Sequence, residues 1–188
     1  MKRSQRAALL ILLNREMRKR GNWCGETHIQ KAMFFLQEMM GVDANFEFIL
    51  YRHGPFSFDL RDELAAMQAD DLLELAVRQQ GYGPTYLPTP FSEIFLERFP
   101  KTTARYLTQI QFVADELSDR GVAELEKLTT AFFIAHREGV DDVEERAQRL
   151  VELKPHISLS DAYWASEQIN RLIERSRPHS LTEESQAS

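Results

Sequence analysis

One helix decides most of what this chain can become. Thr27 and Gln30 stand three apart as a capping box, and the segment they open, to about Met40, has apolar side chains at Ile29, Ala32, Met33, Phe34, Phe35, Leu36, Met39 and Met40. That is too many for one stripe, so the helix must be buried nearly all round and other elements must enclose it. A chain of 188 residues can do this as one domain of ordinary size or two small ones. Its 8 glycines, 43% hydrophobic content and 28% charged content fit a helix-rich globular protein.

The neighbouring segments follow from their periodicity. Residues 3–20 read as a first helix, ended by Gly21 with Arg18, Lys19 and Arg20 in its last turn. At about 100° per residue, Arg15, Arg18 and Lys19 fall on one side and Lys2, Arg6 and Arg20 nearly opposite. This split predicts a solvated helix rather than a phosphate-binding stripe. Residues 45–51 alternate, with Phe46, Phe48 and Leu50 against Asn45, Glu47, Ile49 and Tyr51, as a short strand that His53-Gly54-Pro55 breaks. A third helix runs from about Ser57 to Gln68. Leu72 to Val77 and Thr85 to Leu87, around Gln80-Gly81-Tyr82-Gly83-Pro84, read as a hairpin.

The order helix, helix, strand, helix, hairpin predicts a winged-helix-like domain over residues 1–90, bounded by Pro88-Thr89-Pro90. Residues 91–178 read as a helical region packed on it, with helices over 91–99, 102–120, 122–138 and 142–153. Ser160 opens the last one, whose core stripe is Ala162, Ala165, Ile169 and Leu172. Residues 179–188, rich in Ser, Thr and Glu, read as a disordered tail. The expected class is mainly α with a small β-hairpin.

Catalytic and metal chemistry find little support in the residue pattern. Cys24, the only cysteine, cannot form an internal disulfide, which makes a reducing, cytoplasmic setting the default. Cys24 and His28 are four apart, but Gly25 intervenes and the thiol falls before the helix. His28, His53, His136, His156 and His179 include no pair at helical metal-site spacing. Gly81-Tyr82-Gly83-Pro84 lacks the strand–loop–helix setting of a phosphate loop. No nucleophile elbow or Ser/His/Asp spacing appears. The expectation is a non-enzymatic protein with no cofactor and no metal; a deep pocket holding His53 or Cys24 beside carboxylates would reverse it. The apolar run Ala7 to Leu13 is too short to span a bilayer, so no membrane partner is expected.

Charge is more informative. Residues 1–20 carry net +6, so the overall −6 conceals a net −12 on residues 21–188. In a helix-turn-helix protein the helix after the turn reads DNA, and its surroundings contact phosphate through Lys and Arg. Here residues 57–75 contain Asp59, Asp62, Glu63, Asp70, Asp71 and Glu74 against Arg61 alone, net −5. Phosphate would repel that face. Residues 115–152 form a second acidic block of net −6. The acidic face is expected to meet a basic protein partner. The alternative is a DNA-binding regulator whose phosphate contacts come from Arg3, Arg6, Arg15, Arg18 and Lys19.

Two segments carry a family likeness. Ile29-Gln30-Lys31-Ala32-Met33-Phe34-Phe35-Leu36-Gln37-Glu38, followed by Phe48-Ile49-Leu50-Tyr51-Arg52-His53-Gly54-Pro55-Phe56-Ser57 and Leu60, resembles the YwgA-like family. That family is similar in turn to Panacea-type antitoxin domains and to the toxin-binding C-terminal domain of DarG-type antitoxins. The likeness covers about residues 6–75 and, more loosely, 105–155. Tyr51, His53, Gly54, Pro55, Phe56 and Ser57 form a fold signature: Gly54 can take a conformation closed to other residues, Pro55 fixes the next φ, Tyr51 and Phe56 pack against the second helix, and Ser57 caps the third. The resemblance implies a winged-helix-like module and an antitoxin or defence-accessory role. For the DarG-type domain it implies inhibition by imitating DNA.

Overall fold

The computed structural model describes residues 1–77 and 83–181. The chain is mainly helical with two small antiparallel two-stranded sheets. Helix α1 (Arg3–Lys19) is followed by α2 (Glu26–Glu38), then by a hairpin of β1 (Ile49–Tyr51) and β2 (Gly54–Phe56), then by α3 (Phe58–Ala69). A second hairpin of β3 (Leu73–Ala76) and β4 (Thr85–Pro88) comes next. The rest is α4 (Pro90–Leu96), α5 (Pro100–Leu117), α6 (Val122–Phe133), a π-helical turn over Ile134–Glu138, α7 (Val143–Leu153) and α8 (Leu159–Ser176). The turn expected at 80–84 lies mostly outside the described residues, as does residue 78.

Helix α1 is not solvated. Ala7, Ala8, Leu9, Leu10, Ile11, Leu12 and Leu13 are all buried, with Asn14, Glu16 and Met17 beyond them. Its cations sit at the two ends, and the apolar middle is enclosed by α5, α4 and β4. Charge therefore segregates along this helix rather than around it. A single contiguous core joins α1 and α2 to α5, α6 and α8, across the expected boundary at Pro88-Thr89-Pro90.

Helix α2 begins at Glu26 with Gly25 as N-cap and no side-chain cap, so Thr27 and Gln30 do not form the expected box. Gln30 does something else. Its Oε1 accepts from the Ser57 backbone N–H and its Nε2 donates to the Ser57 carbonyl, both at 2.9 Å. Two turns on, Gln37 treats Phe46 the same way, at 2.8 and 2.9 Å. A side-chain amide that accepts from the N–H and donates to the C=O of one residue imitates a neighbouring strand. This explains why the expected strand over 45–51 is regular only from Ile49. Asn45 takes a left-handed φ of 58°, Phe46 and Phe48 are buried, and the Phe46 backbone is satisfied by α2.

His53-Gly54-Pro55 does not simply break the strand; it returns the chain as β2, paired Ile49 with Phe56, Leu50 with Pro55 and Tyr51 with Gly54. Gly54 has φ 84°, and a Cβ there would lie 2.9 Å from Thr129 Oγ1 and 3.1 Å from Thr130 Oγ1, so the hairpin seats on α6 only with glycine. Ser57 caps α3, accepting from the Leu60 N–H at 3.2 Å.

The helix expected over 122–138 ends as α6 at Phe133 and continues as the π turn, which Gly139 closes at φ 72°. Helix α8 opens one residue early, with Ser158 as its cap. The tail expected from 179 is anchored at its start: Gln109 donates to the His179 carbonyl at 2.7 Å, and the Leu181 N–H donates to the Met40 carbonyl at 3.0 Å. Residues 182–188 lie outside the described residues. No helix among the described residues is long and apolar enough to cross a membrane.

Candidate functional site

The six carboxylates of the would-be recognition segment divide into two groups. Glu63, 5% exposed at its side chain, points inward to α1, where Arg3 Nε lies 3.1 Å and Arg6 Nη2 3.6 Å away. Asp70 accepts from Arg3 Nη2 at 2.7 Å. These two are answered within the molecule. Asp59, Asp71 and Glu74 are exposed and have no cation partner among the described residues. Asp62, 76% exposed, has only Arg61 at 3.7 Å, itself half-exposed. Asp59 and Asp62, three residues apart, share one outward face at the start of α3. Asp71, held at φ 57°, and Glu74 lie beyond its end.

The cations of α1 show the opposite pattern. Arg3 and Arg6 are engaged with Glu63 and Asp70, and Arg6 also lies over the Phe46 ring, 5.2 Å from its centroid. Arg15 reaches Glu93 at 3.4 Å, and Arg18 donates to Thr85 Oγ1 at 3.3 Å. Lys19 donates to the buried Glu16 at 2.7 Å, and Arg20 bridges Glu16 and Asp115 at 3.1 and 2.5 Å. Burial pushes the Glu16 carboxyl up, but the bonds and charges of Lys19 and Arg20 outweigh it and hold the group below the usual carboxylate range. Every residue of the alternative DNA-binding set thus has an internal partner. The second acidic block is also largely answered: Glu116 pairs with Arg175, Glu124 with Arg120, Glu138 with Arg149, and Asp142 caps α7.

Beside Asp59 and Asp62 lies an aromatic cluster. Tyr51, Phe56 and Phe58 meet pairwise with ring centroids 5.1 to 5.8 Å apart, and Arg61 lies 5.0 Å above Phe58. Tyr51 is 43% exposed and Phe58 40%, with Ile49 at 42% on the same face of the hairpin. Tyr51 therefore does not pack against α2 as expected. The signal available in the sequence was the spacing 49, 51, 56, 58, which becomes one face only once the chain reverses at Gly54.

No protein-family model matches the sequence, and no curated protein matches it.

The fold-signature residues also assemble a polar cluster that the residue pattern alone did not reveal. Lys31, buried in α2, donates to the Pro55 carbonyl at 2.7 Å, and Lys154 donates to the carbonyls of Tyr51 and Arg52 at 2.5 and 2.6 Å. Glu126 of α6 lies between His53, at 3.4 Å, and His156, at 3.2 Å. Burial brings the Lys31 ammonium down to about 8, assisted by the charge of Lys154 and opposed by that of Glu126. Burial likewise lowers Lys154 against the pull of Glu126. These side chains fasten the hairpin from three elements. Two polar residues, Gln30 and Lys31, inside an otherwise apolar helix were the available sign.

Cys24 and His28 do not form a reactive pair. Cys24 is buried at φ 52° with Sγ 3.6 Å from the Asn14 carbonyl, and burial pushes its thiol up to about 12. His28 Nε2 meets the Arg120 carbonyl at 3.2 Å, and burial holds the ring below its ordinary value. Among the described residues no group of three or more His, Cys, Asp or Glu is placed to hold a metal ion.

Proposed function

We propose that this chain is a cytoplasmic, non-enzymatic interaction protein that binds a basic protein partner through the outward face of α3 and the adjoining β1–β2 hairpin, in an antitoxin or defence-accessory role. One observation carries the reading: the cations of α1 are engaged internally, whereas Asp59 and Asp62 are left to solvent beside exposed aromatic rings. Interfaces of this kind combine a buried aromatic anchor with charges that steer and orient the partner. The element order α1, α2, β1, β2, α3, β3, β4 supports a winged-helix-like reading of residues 1–90 with a hairpin inserted before α3, which takes the place of the DNA-reading helix. A carboxylate face there suits a protein that otherwise binds nucleic acid. The resemblance to the YwgA-like and Panacea-type domains supports the same role.

The test uses the product of the adjacent gene as the titrant and measures binding by calorimetry at low and high salt. A 1:1 complex that weakens with salt, and that loses at least about tenfold in affinity in Asp59→Lys/Asp62→Lys, supports the reading. Binding untouched by the reversal overturns the acidic-face mechanism. Retardation of duplex DNA with a steep salt dependence would favour the regulator instead.

A further inference from the structure

We propose that the cleft between the end of α2, the π turn, α7 and α8 is a binding site for a small organic anion, a carboxylate or phosphate monoester carrying an apolar body. The cleft has a volume of about 570 Å³, within the range of small-molecule sites. One wall is the π turn, a feature that recurs at functional sites.

The decisive group is Arg146. It is 2% exposed and is one of the residues lining this cleft. Nε donates to the Val140 carbonyl at 3.0 Å, Nη1 to the Ser166 carbonyl at 3.1 Å and to Asn170 Oδ1 at 2.8 Å, and Nη2 to the Asp141 carbonyl at 2.8 Å. All four acceptors are neutral. A guanidinium has five N–H donors, so one on Nη2 has no acceptor among the described residues. Glu16 and Glu63, also buried, each have a cation within 4 Å; Asp141 and Asp142 act on Arg146 through space, but among the described residues no carboxylate lies within 4 Å of it. A buried charge with no carboxylate in contact is costly, and a ligand anion would supply the missing contact.

The rest of the cleft narrows the ligand. Arg177, exposed and without an ion-pair partner among the described residues, offers a second cation. Glu38, also in the lining, is answered by Arg137 at 2.8 Å and His136 at 3.2 Å. Asp141 and Glu174 remain as exposed carboxylates in the lining, screened by water, and they disfavour a polyanion. Met39, Phe132 and Ile173 give an apolar surface, and His136 stacks on Phe132 at 5.4 Å. A singly or doubly charged head on a small hydrophobic or aromatic body fits this arrangement.

The site is independent of the partner surface on α3, and its test uses the full chain. Benzoate and phenyl phosphate are titrated by heteronuclear NMR, with acetate and inorganic phosphate as heads lacking a body and benzylammonium as the opposite charge. Saturable shifts confined to residues 134–141 and 170–177, at least tenfold tighter for the probes with a body, are expected. Arg177→Ala should weaken binding at least threefold. Asn170→Asp places a carboxylate on Arg146, so it should raise the unfolding midpoint of the unliganded protein and reduce anion affinity at least tenfold. That pairing separates a charge awaiting a ligand from a guanidinium that only pins carbonyls. The proposal is overturned if neither anion saturates, if benzylammonium binds equally well, or if Asn170→Asp leaves both stability and binding unchanged.

Discussion

Helices α1 and α3 carry opposite charge and face each other through Arg3, Arg6, Glu63 and Asp70, yet they treat their charges differently. In α1 the seven residues from Ala7 to Leu13 are buried, and the cations at both ends fold back onto internal acceptors. In α3 the charged positions alternate between an inward face, where Glu63 is held by two arginines, and an outward face, where Asp59 and Asp62 stand in solvent. Net charge per segment is thus a poor guide to surface charge. What an external partner meets is the remainder after internal pairing.

Breaking the internal side of this contrast should have the largest effect. Glu63→Gln leaves Arg3 and Arg6 facing a neutral amide at a buried position, and equilibrium urea unfolding should show a loss of about 2 to 3 kcal/mol. A cost below about 0.5 kcal/mol would mean that Glu63 does not anchor the α1–α3 contact.

The next effect concerns Lys31, a buried cation fastening the hairpin. Its folded value of about 8 lies below its unfolded 10.5, so between those values the unfolded chain keeps a proton that the folded chain has released. Stability from this group therefore rises with pH across that window and is lowest below pH 8. Between pH 7 and pH 9 the rise should be about 1 kcal/mol, read as the wild type minus Lys31→Met, in which the slope from this group is absent.

Smaller still is Arg3→Ala, because Arg3 is half-exposed: a loss of about 0.5 to 1 kcal/mol, reduced by salt, is expected in the same unfolding measurement. At the end of the scale, Asp59→Lys/Asp62→Lys should shift the unfolding midpoint by less than the equivalent of about 0.5 kcal/mol, since neither side chain holds the fold.

Much of the fold was legible because it is local. The cap of α3, the Gly21 stop after α1 and the core stripe of α8 depend on nearby residues. What escaped is non-local. Glu63 and Asp70 meet Arg3 across 60 and 67 positions, and nothing in either segment announces the other. Reading the cations of α1 around the helix hid their segregation to its ends. Gln30 reads as a capping-box partner and Gln37 as an ordinary polar position until the chain they clamp is in place. The aromatic face at 49, 51, 56 and 58 exists only because Gly54 reverses the strand. Arg146 and the π turn left no sequence sign, since a buried guanidinium and a solvated one look alike in a charged helix.

The central claim is that the unanswered carboxylates of α3, rather than the cations of α1, form the working surface. The most direct measurement is a calorimetric titration of the adjacent gene's product into wild type, Asp59→Lys/Asp62→Lys and Arg15→Glu/Lys19→Glu, with duplex DNA run against the same three proteins. The account predicts that the α3 reversal weakens the protein complex at least about tenfold, that the α1 reversal leaves its affinity nearly unchanged while lowering stability, and that none of the three retards DNA. DNA binding by wild type that disappears in the α1 variant, with the α3 variant unaffected toward either titrant, would contradict it.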